Sequence, residues 1–375
     1  MSEIFIITGE TSGDMHAARY VEEHRNINSN LSFSGIGQEK LISKNVNVIY
    51  NSENISVVGL TEVISKYSEI RNALFKAKKY IEDNKPNLII LVDYVEFNLK
   101  IAKFAKQHNI PVLFYIAPQV WAWRKGRIKK IIDNVDHLAV VFPFEYEIFK
   151  PFTDKVTYVG HPLADDPELH VNNIEFEDRK YDLGIFPGSR ESEIKNNLYT
   201  MLDCVKPNKQ NKDQFKKIKI FYSNIKNRDL MMKMMPTEMH GCLADGSNRN
   251  EVKNCKKAIA ASGTITLELA LMMVPMVIVY KLSYLTYIVM RKLVNIEYIG
   301  LVNLILGEKL GGNPIVKEFI QPTYHDQIEI MVELDKIDRD RVYREDILSN
   351  YLDIRKKLEP GASKKLARIA DKLLK

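Results

Sequence analysis

The chain lacks the marks of exported, disulfide-bonded and zinc-binding proteins. Its three cysteines, Cys204, Cys242 and Cys255, form no C-x-x-C pair and are odd in number, so neither a disulfide framework nor a zinc site is indicated and a reducing cytoplasm fits best. The first residues enter a strand-like run without the pattern of a signal peptide. No apolar run reaches about eighteen residues, so we expect no membrane-spanning helix.

Nucleotide fingerprints, metal motifs and strong charge are also missing. The segment TGETSGD (8–14) lacks the G-x-G-x-x-G spacing and no G-K-[ST] occurs, so neither a dinucleotide site nor a P-loop is expected. The one D-x-D, at 338–340, lies in a charged tail, which argues against a metal site. A net charge of +6 suits anionic substrates or an anionic membrane surface but is small for a nucleic-acid binder.

Short apolar runs alternate with longer segments of helical periodicity along the chain, which is typical of buried parallel strands joined by helices. A polar, acidic passage at 164–180 separates two series of such runs and indicates an interdomain linker. We therefore predict an α/β fold with two Rossmann-like, doubly wound domains that face a central cleft. The expected domain limits are 1–172 and 173–340, with 341–375 as C-terminal helices that pack back on the domains.

Candidate site residues of the first domain directly follow strands, because ligands of doubly wound domains bind beyond the carboxyl ends of the strands. In TGETSGD, Glu10 is expected to accept sugar hydroxyls beside a helix cap at Ser12 or Asp14; the alternative is a plain strand-to-helix turn. In LVDYVEFN (91–98), Asp93 ends an apolar strand, where burial raises the pKa of a general base. The alternative for Asp93 is a helix N-cap.

In the second domain, FPGSRESE (186–193) places Ser189 and Arg190 between a strand and a helix. Free backbone N–H groups, a hydroxyl and a guanidinium together favour a diphosphate site. The alternative is Ser189 as a simple N-cap, but a capping box would need Glu or Gln where the chain has Ser192.

A second phosphate site is predicted at AASGTITLELAL (260–271). The small residues Ser262, Gly263 and Thr264 allow a phosphate to approach the start of a helix, and Glu268 lies one turn deeper on the same face. That arrangement suits a nucleoside diphosphate whose ribose hydroxyls reach the carboxylate. An ordinary helix start with a solvated glutamate is the alternative.

Both tryptophans of the chain lie in FYIAPQVWAWRKGRIKKI (114–131), where a strand leads into a basic helix. Helical spacing places Trp121 over the apolar face and Trp123 on the opposite side. We expect Trp121 in the core, and Trp123 with Arg124 or Arg127 at the cleft mouth, where an amphipathic ring beside cations would bind an anionic, partly apolar molecule. If the segment is extended instead, both rings share one face.

The motifs GETSGD, VWAWR, PFE, GHPLAD, PGSR, ASGT...LE and IGLVNLI occur in this order over nearly the whole chain. In them the sequence resembles the lipid-A-disaccharide synthases, glycosyltransferases of the GT-B fold. The resemblance implies transfer of a diacylated glucosamine from UDP to the 6-hydroxyl of 2,3-diacylglucosamine 1-phosphate, with release of UDP. It also implies that the N-terminal domain binds the acceptor and the C-terminal domain binds the UDP-sugar.

Carried over by motif, the site positions implied by the resemblance are Glu10, Asp93, Arg190, Glu268 and Asn303, with Ser12, Ser189 and Thr264 beside them. Three positions depart from the family pattern: Glu96 replaces an aspartate, APQ (117–119) replaces SPS, and Val302 replaces a proline. Glu96 is accordingly either a second acid or a solvated residue.

The expected partners are the two acylated sugars and the cytoplasmic face of the inner membrane, contacted peripherally through the apolar and basic segment 55–81. The sequence is compatible with a homodimer but does not determine the oligomeric state, and no cofactor, metal or nucleic acid is expected. The alternatives are a related GT-B enzyme acting on UDP-N-acetylglucosamine, either an epimerase or the peptidoglycan transferase, and a non-enzymatic protein whose basic helix at 124–130 binds nucleic acid or anionic lipid. His161, beside the linker, is more typical of a hinge than of a catalytic residue.

Overall fold

The computed structural model describes residues 2–55, 66–116, 127–170, 174–205, 217–281, 298–306 and 313–375. Trp121, Trp123 and Arg124 lie outside the described residues, and so does the side chain of Arg127. The predictions made for these four side chains therefore stay predictions.

The first sheet is entirely parallel within the described ranges. Its strands are β1 (Ser2–Thr8), β2 (Leu31–Gly37), β3 (Asn47–Asn51), β4 (Leu88–Val92), β5 (Val112–Tyr115), β6 (His137–Val140) and β7 (Val156–Tyr158). They are ordered β3-β2-β1-β4-β5-β6-β7. The helices between them are α1 (Thr11–Ile27), α2 (Glu39–Ser43), α3 (Tyr67–Asn84), α4 (Val95–Gln107), α5 (Arg127–Ile132) and α6 (Pro143–Phe149).

The central strands of this sheet are apolar at successive positions because helices cover both faces. All five residues of β4 and all four of β5 are buried. Alternate strand residues such as Phe5, Leu91 and Phe114 form one core together with Ala73 and Ala77 of α3. Charged and amide side chains are thereby absent from β4 and β5 and appear where these two strands end.

The second sheet is also parallel in the part of the chain described here. Its strands are β8 (Leu183–Phe186), β9 (Ile218–Tyr222), β10 (Leu243–Asp245), β11 (Ala258–Ala261), β12 (Met276–Tyr280) and β13 (Glu318–Ile320), in the order β10-β9-β8-β11-β12-β13. The helices are α7 (Pro167–His170), α8 (Glu191–Asp203), α9 (Ile225–Met234), α10 (Arg249–Lys253), α11 (Thr264–Leu271), α12 (Leu301–Leu306), α13 (Tyr324–Arg339) and α14 (Arg341–Lys357). The two parallel sheets with alternating helices confirm the predicted α/β fold.

The chain divides into two compact units. Unit 1 comprises Met1–Asp165 with Leu358–Lys375, and unit 2 comprises Asp166–Lys357. The last helix, α15 (Ala362–Leu373), thus belongs with the first sheet, and α14 belongs with the second. The domain limits expected from the sequence grouped both helices in one C-terminal segment, so they differ from this division.

Buried polar contacts hold α15 on α1. His24 of α1 lies between two partners: its Nδ1 is 2.6 Å from the Tyr20 hydroxyl and its Nε2 is 2.9 Å from Asp371 Oδ1 of α15. Leu366 and Ala370 of α15 are fully buried. Among the described residues, no helix combines the length and the apolar character needed to cross a bilayer.

Candidate functional site

The carboxyl ends of β1, β4 and β5 meet at one edge of the first sheet. Thr8 pairs with Val92, and Val92 pairs with Tyr115, so the residues that follow these three strands are neighbours. Glu10 and Asp93 both lie in this row. The parallel pairing thus brings together the two acids that the sequence placed at separate strand ends.

The backbone that carries Asp93 is strained. Asp93 and Tyr94 have φ angles of 50° and 45°, and Ile116, which follows β5, has a φ of 60°. Such left-handed conformations cost non-glycine residues on the order of 1–3 kcal/mol each, and they cluster at functional sites. The strain supports a functional role for this edge of the sheet.

Buried hydrogen bonds hold the strained turn in place. Asn98 is fully buried, and its Nδ2 donates to the carbonyl oxygens of Asp93 at 2.7 Å and Val92 at 3.3 Å. The Asp93 N–H donates to Tyr115 O at 3.2 Å. The N-cap of α4 is Tyr94, so the alternative of Asp93 as helix N-cap is wrong. Glu96 is exposed in the first turn of α4, as expected for a solvated residue.

Tyr94 connects the Asp93 turn with the Glu10 turn. Its hydroxyl donates to Ile55 O at 2.8 Å, and burial, with the Glu10 charge as a second cause, raises its pKa to about 12. A Cβ at Gly9 would lie 2.2 Å from the Tyr94 ring, so only glycine fits there. The first glycine of the GETSGD motif therefore provides space for the tyrosine that follows Asp93.

The start of α1 differs from the prediction. The N-cap is Glu10, and Ser12 lies inside the first turn, so a cap at Ser12 or Asp14 was wrong. Asp14 is fully buried and accepts instead from the N–H groups of Gln38 at 2.7 Å and Lys40 at 2.9 Å, at the start of α2. A buried carboxylate needs several donors, and this distant turn supplies them.

In unit 2, the turn after β8 carries Ser189 and Arg190. Arg190 is the N-cap of α8, and Glu193 accepts the N–H of Ser189 at 3.0 Å and of Arg190 at 3.3 Å on its Oε2. The sequence analysis expected these two N–H groups to be free. In the structure both donate to Glu193. The N-cap is thus one residue later than the alternative of Ser189. The residue three positions after Arg190 is Glu193, which completes the capping box, whereas three positions after Ser189 the chain has Ser192.

The same glutamate orients the arginine. Arg190 Nη1 lies 2.8 Å from Glu193 Oε1, with the Arg190 side chain 37% exposed. Gly188 has a φ of 126°, and a Cβ there would lie 2.5 Å from Glu193 Cβ. The Pro-Gly turn thus allows the close approach of the glutamate that holds the guanidinium.

Two buried amides, which the sequence analysis missed, anchor this turn. Asn197 Nδ2 donates to Pro187 O at 3.3 Å and Glu193 O at 2.9 Å, and Asn227 Nδ2 donates to Ser189 O at 2.7 Å. Asn197 follows Glu193 by one helical turn, a spacing that could have identified it. Asn227 comes from α9 and leaves no local signal.

Ser262, Gly263 and Thr264 form the turn from β11 into α11, as predicted. Gly263 has a φ of 155°, which favours glycine, and a Cβ there would meet no heavy atom within 4 Å. The Ser262 hydroxyl donates to Ile299 O at 3.1 Å. The backbone at the start of α11 is therefore open to a close approach, as a phosphate would need.

Glu268 is not a solvated glutamate. Its Oε2 lies 2.6 Å from Arg249 Nη1, and its side chain is 12% exposed. The alternative of an ordinary helix start with a solvated acid is therefore wrong for this residue. The carboxylate is held in a defined position one turn below Thr264.

Asn303 is fully buried and its side chain is engaged within unit 2. Its Nδ2 donates to Val316 O at 2.8 Å and Glu318 Oε1 at 2.7 Å, and its Oδ1 accepts from Val316 N at 3.1 Å. Glu318 also accepts from Ile299 N and Gly300 N, both at 2.9 Å, and burial raises its pKa. Through Glu318, Asn303 therefore stabilises the turn at Ile299 and Gly300, and the Ile299 carbonyl oxygen of this turn accepts the hydrogen bond of Ser262.

His161 is buried in unit 1 between aromatic rings. Its ring centroid lies 4.9 Å from that of Phe142 and 6.2 Å from that of His16. Burial lowers the pKa of both histidines, that of His16 to about 3. Within the described ranges, no three His, Cys, Asp or Glu side chains are grouped to hold a metal ion.

Solved structures with the same fold include glycosyltransferases and nucleotide-sugar epimerases. The UDP-GlcNAc 2-epimerase from Neisseria meningitidis bound to UDP-GlcNAc aligns with a TM-score of 0.66 at 13% identity, covering 99% of this chain and all of the other. The glycotransferase of kitacinnamycin aligns with a TM-score of 0.61 at 9% identity, covering 100% and 99%. At these identities the likeness concerns the fold alone, which is that of GT-B proteins.

Sequence relatives are much closer. The family model for lipid-A-disaccharide synthetase matches residues 4–372. The lipid-A-disaccharide synthases of Geobacter metallireducens and Nitrosococcus oceani are each 35% identical over 99% of this chain, covering 97% and 96% of their own lengths. That of Coxiella burnetii is 35% identical over 99% of this chain and 98% of its own length. The chain belongs to the lipid-A-disaccharide synthase family.

Proposed function

We propose that the protein is a hexosyltransferase that condenses UDP-2,3-diacylglucosamine with 2,3-diacylglucosamine 1-phosphate to give the lipid A disaccharide 1-phosphate and UDP. The observation that carries the proposal is the family match over residues 4–372. The chemistry of the strand ends agrees with it, because each unit has a set of polar groups suited to one half of the reaction.

In the proposed reaction, the 6-hydroxyl oxygen of the acceptor attacks C1 of the donor sugar. The bond between C1 and the diphosphate oxygen breaks, UDP leaves with the electron pair, and Asp93 takes the hydroxyl proton. Deprotonation by a positioned base contributes about 10²–10⁴ in rate. The strained turn and the Asn98 hydrogen bonds fix the backbone that carries this carboxylate.

Charge that develops on the departing diphosphate needs stabilisation, and we assign this role to unit 2. Arg190, oriented by Glu193, supplies a guanidinium, and the start of α11 at Ser262, Gly263 and Thr264 supplies backbone dipoles. Ser189 lies in the same turn as Arg190. The Glu268 carboxylate accepts hydrogen bonds from the ribose hydroxyls. Asn303 stabilises the turn at Ile299, whose carbonyl oxygen accepts the hydrogen bond of the Ser262 hydroxyl.

The acceptor side belongs to unit 1 in this proposal. Glu10 and Ser12 contact sugar hydroxyls next to the Asp93 turn, to which Tyr94 links them. Trp123 with Arg124 or Arg127 receives the acylated, phosphorylated end of the acceptor. These three assignments rest on the sequence pattern, because the side chains lie outside the described residues.

We further assign a peripheral membrane contact to α3, at the cytoplasmic face of the inner membrane. Residues 67–81 of α3 belong to the segment 55–81 predicted for this contact, whereas residues 56–65 lie outside the described residues. Tyr67 and Phe75 are 63% and 65% exposed, and Arg71 and Lys79 alternate with them at four-residue spacing. Exposed aromatic rings alternating with cations are suited to an anionic bilayer surface.

A homodimer is also proposed, and sedimentation of the purified protein would test it.

The substrate class can be tested by comparing two reactions of the purified protein. The acylated donor with its acceptor should release UDP, whereas UDP-N-acetylglucosamine alone should be left intact. Epimerisation or hydrolysis of UDP-N-acetylglucosamine at a similar rate would instead support the alternative of an epimerase-like enzyme. Mass spectrometry of both mixtures distinguishes the two results.

A further inference from the structure

An ion pair joins two strand-end segments of unit 2. Arg249 is the first residue of α10, just beyond β10, and Glu268 lies in α11, which follows β11. Arg249 Nη1 is 2.6 Å from Glu268 Oε2 and 3.1 Å from Gly246 O. The guanidinium therefore fixes the carboxylate relative to the turn after β10 as well as to its own helix.

This pair differs from the surface ion pairs of the chain in its burial. The Arg249 and Glu268 side chains are 22% and 12% exposed. Arg341 and Glu345, at the same separation of 2.6 Å, are 80% and 57% exposed. Exposed pairs contribute little to stability because water screens them, whereas a partly buried pair restrains both side chains. A restrained carboxylate is ready to accept hydroxyl hydrogen bonds without losing further rotamer entropy.

We propose that Arg249 is a positioning residue that fixes the Glu268 carboxylate for the ribose hydroxyls, and so makes the site selective for ribonucleotides over deoxyribonucleotides. The inference rests on the proposed function, since it takes the ligand to be a uridine diphosphate. It goes beyond it by naming the residue that controls recognition of the ribose. Arg249 acts through Glu268 and not on the reacting atoms.

Calorimetric titration with UDP and with 2′-deoxyuridine diphosphate tests the inference. The native protein should bind UDP about tenfold or more tightly than the deoxy analogue, because a hydrogen bond to a charged group is lost. Glu268→Gln and Arg249→Met should each reduce that ratio to about threefold or less, because the affinity for UDP falls by more than the affinity for the deoxy analogue, which keeps only its 3′-hydroxyl. Arg249→Lys should retain part of the selectivity, and Arg341→Met, the exposed control, all of it.

Two results would overturn the inference and leave the proposed function intact. One is a native protein that binds both nucleotides equally. The other is an Arg249→Met protein that loses affinity for both in the same proportion, which is what a merely structural role predicts. If Arg249→Met does not melt cooperatively, the ratio for Arg249→Lys decides: an unchanged native value overturns the inference, and a reduced one supports it. A native protein that binds neither nucleotide would instead count against the proposed function.

Discussion

At the scale of single residues, the proposed site consists of acids and an arginine that other polar side chains hold in place. The positions of Asp93 and Glu268 could be predicted, because an acid after an apolar strand or in the first turns of a following helix is a local pattern. The left-handed φ of Asp93 could not, since the Asn98 hydrogen bonds and the pairing with Tyr115 impose it. The partner of Glu268 is likewise non-local, because Arg249 belongs to another helix.

Replacing Asp93 by Asn should lower kcat by roughly two orders of magnitude or more, because the base that accepts the proton of the acceptor's 6-hydroxyl is lost. Binding of UDP should be unchanged, since the proposed diphosphate residues lie in unit 2. Steady-state kinetics and calorimetry measure the two effects. Asp154→Asn, at a 96% exposed side chain, is the control and should keep native turnover. Near-native turnover of the Asp93 variant would refute its role as base.

Replacing Arg190 by Ala should weaken UDP binding by about 1–3 kcal/mol, the range for a lost charge-assisted hydrogen bond. Arg339→Ala, which removes an 80% exposed guanidinium from unit 2, should leave the affinity as it was. Titration calorimetry gives both values. Equal affinities of native and Arg190→Ala protein would exclude Arg190 from the nucleotide site.

At the scale of secondary-structure elements, strands were easier to predict than helix ends. A buried parallel strand appears as an apolar run whatever surrounds it, so central strands such as β4, β5, β11 and β12 could be found in the sequence. The edge strands β3, β7, β10 and β13 contain polar residues and were not predicted. A helix start depends on which residue accepts the orphan N–H groups. At α8 that residue is Glu193, which moves the cap from Ser189 to Arg190, and at α1 the predicted cap Asp14 turns away to α2.

The proposed membrane contact belongs to the element α3. Tyr67→Glu and Phe75→Glu should each weaken binding to anionic vesicles by about tenfold or more, because an apolar contact of roughly 1.5–3 kcal/mol is replaced by a repelled charge. Phe152→Glu is a matched control, since Phe152 is 63% exposed in the same unit but lies outside α3. Vesicle co-sedimentation measures all three. Equal losses for the control would mean that α3 is not the contact.

At the scale of the whole molecule, the sequence allowed two α/β domains to be predicted but not the path of the C-terminus. The apolar face of the last helix is visible in its periodicity, yet the periodicity does not say which surface covers it. In the structure α15 packs on α1, where His24 and Asp371 meet, while α14 remains in unit 2. Contacts between residues so distant in sequence leave no local pattern.

The central claim, that an acceptor hydroxyl displaces UDP from the donor sugar, is tested most directly with an acceptor labelled with ¹⁸O at its 6-hydroxyl. Mass spectrometry of the products should find the label in the tetraacyl disaccharide 1-phosphate, an equal amount of unlabelled UDP, and almost no disaccharide with the Asp93→Asn variant. Release of UDP without a labelled disaccharide would contradict the account.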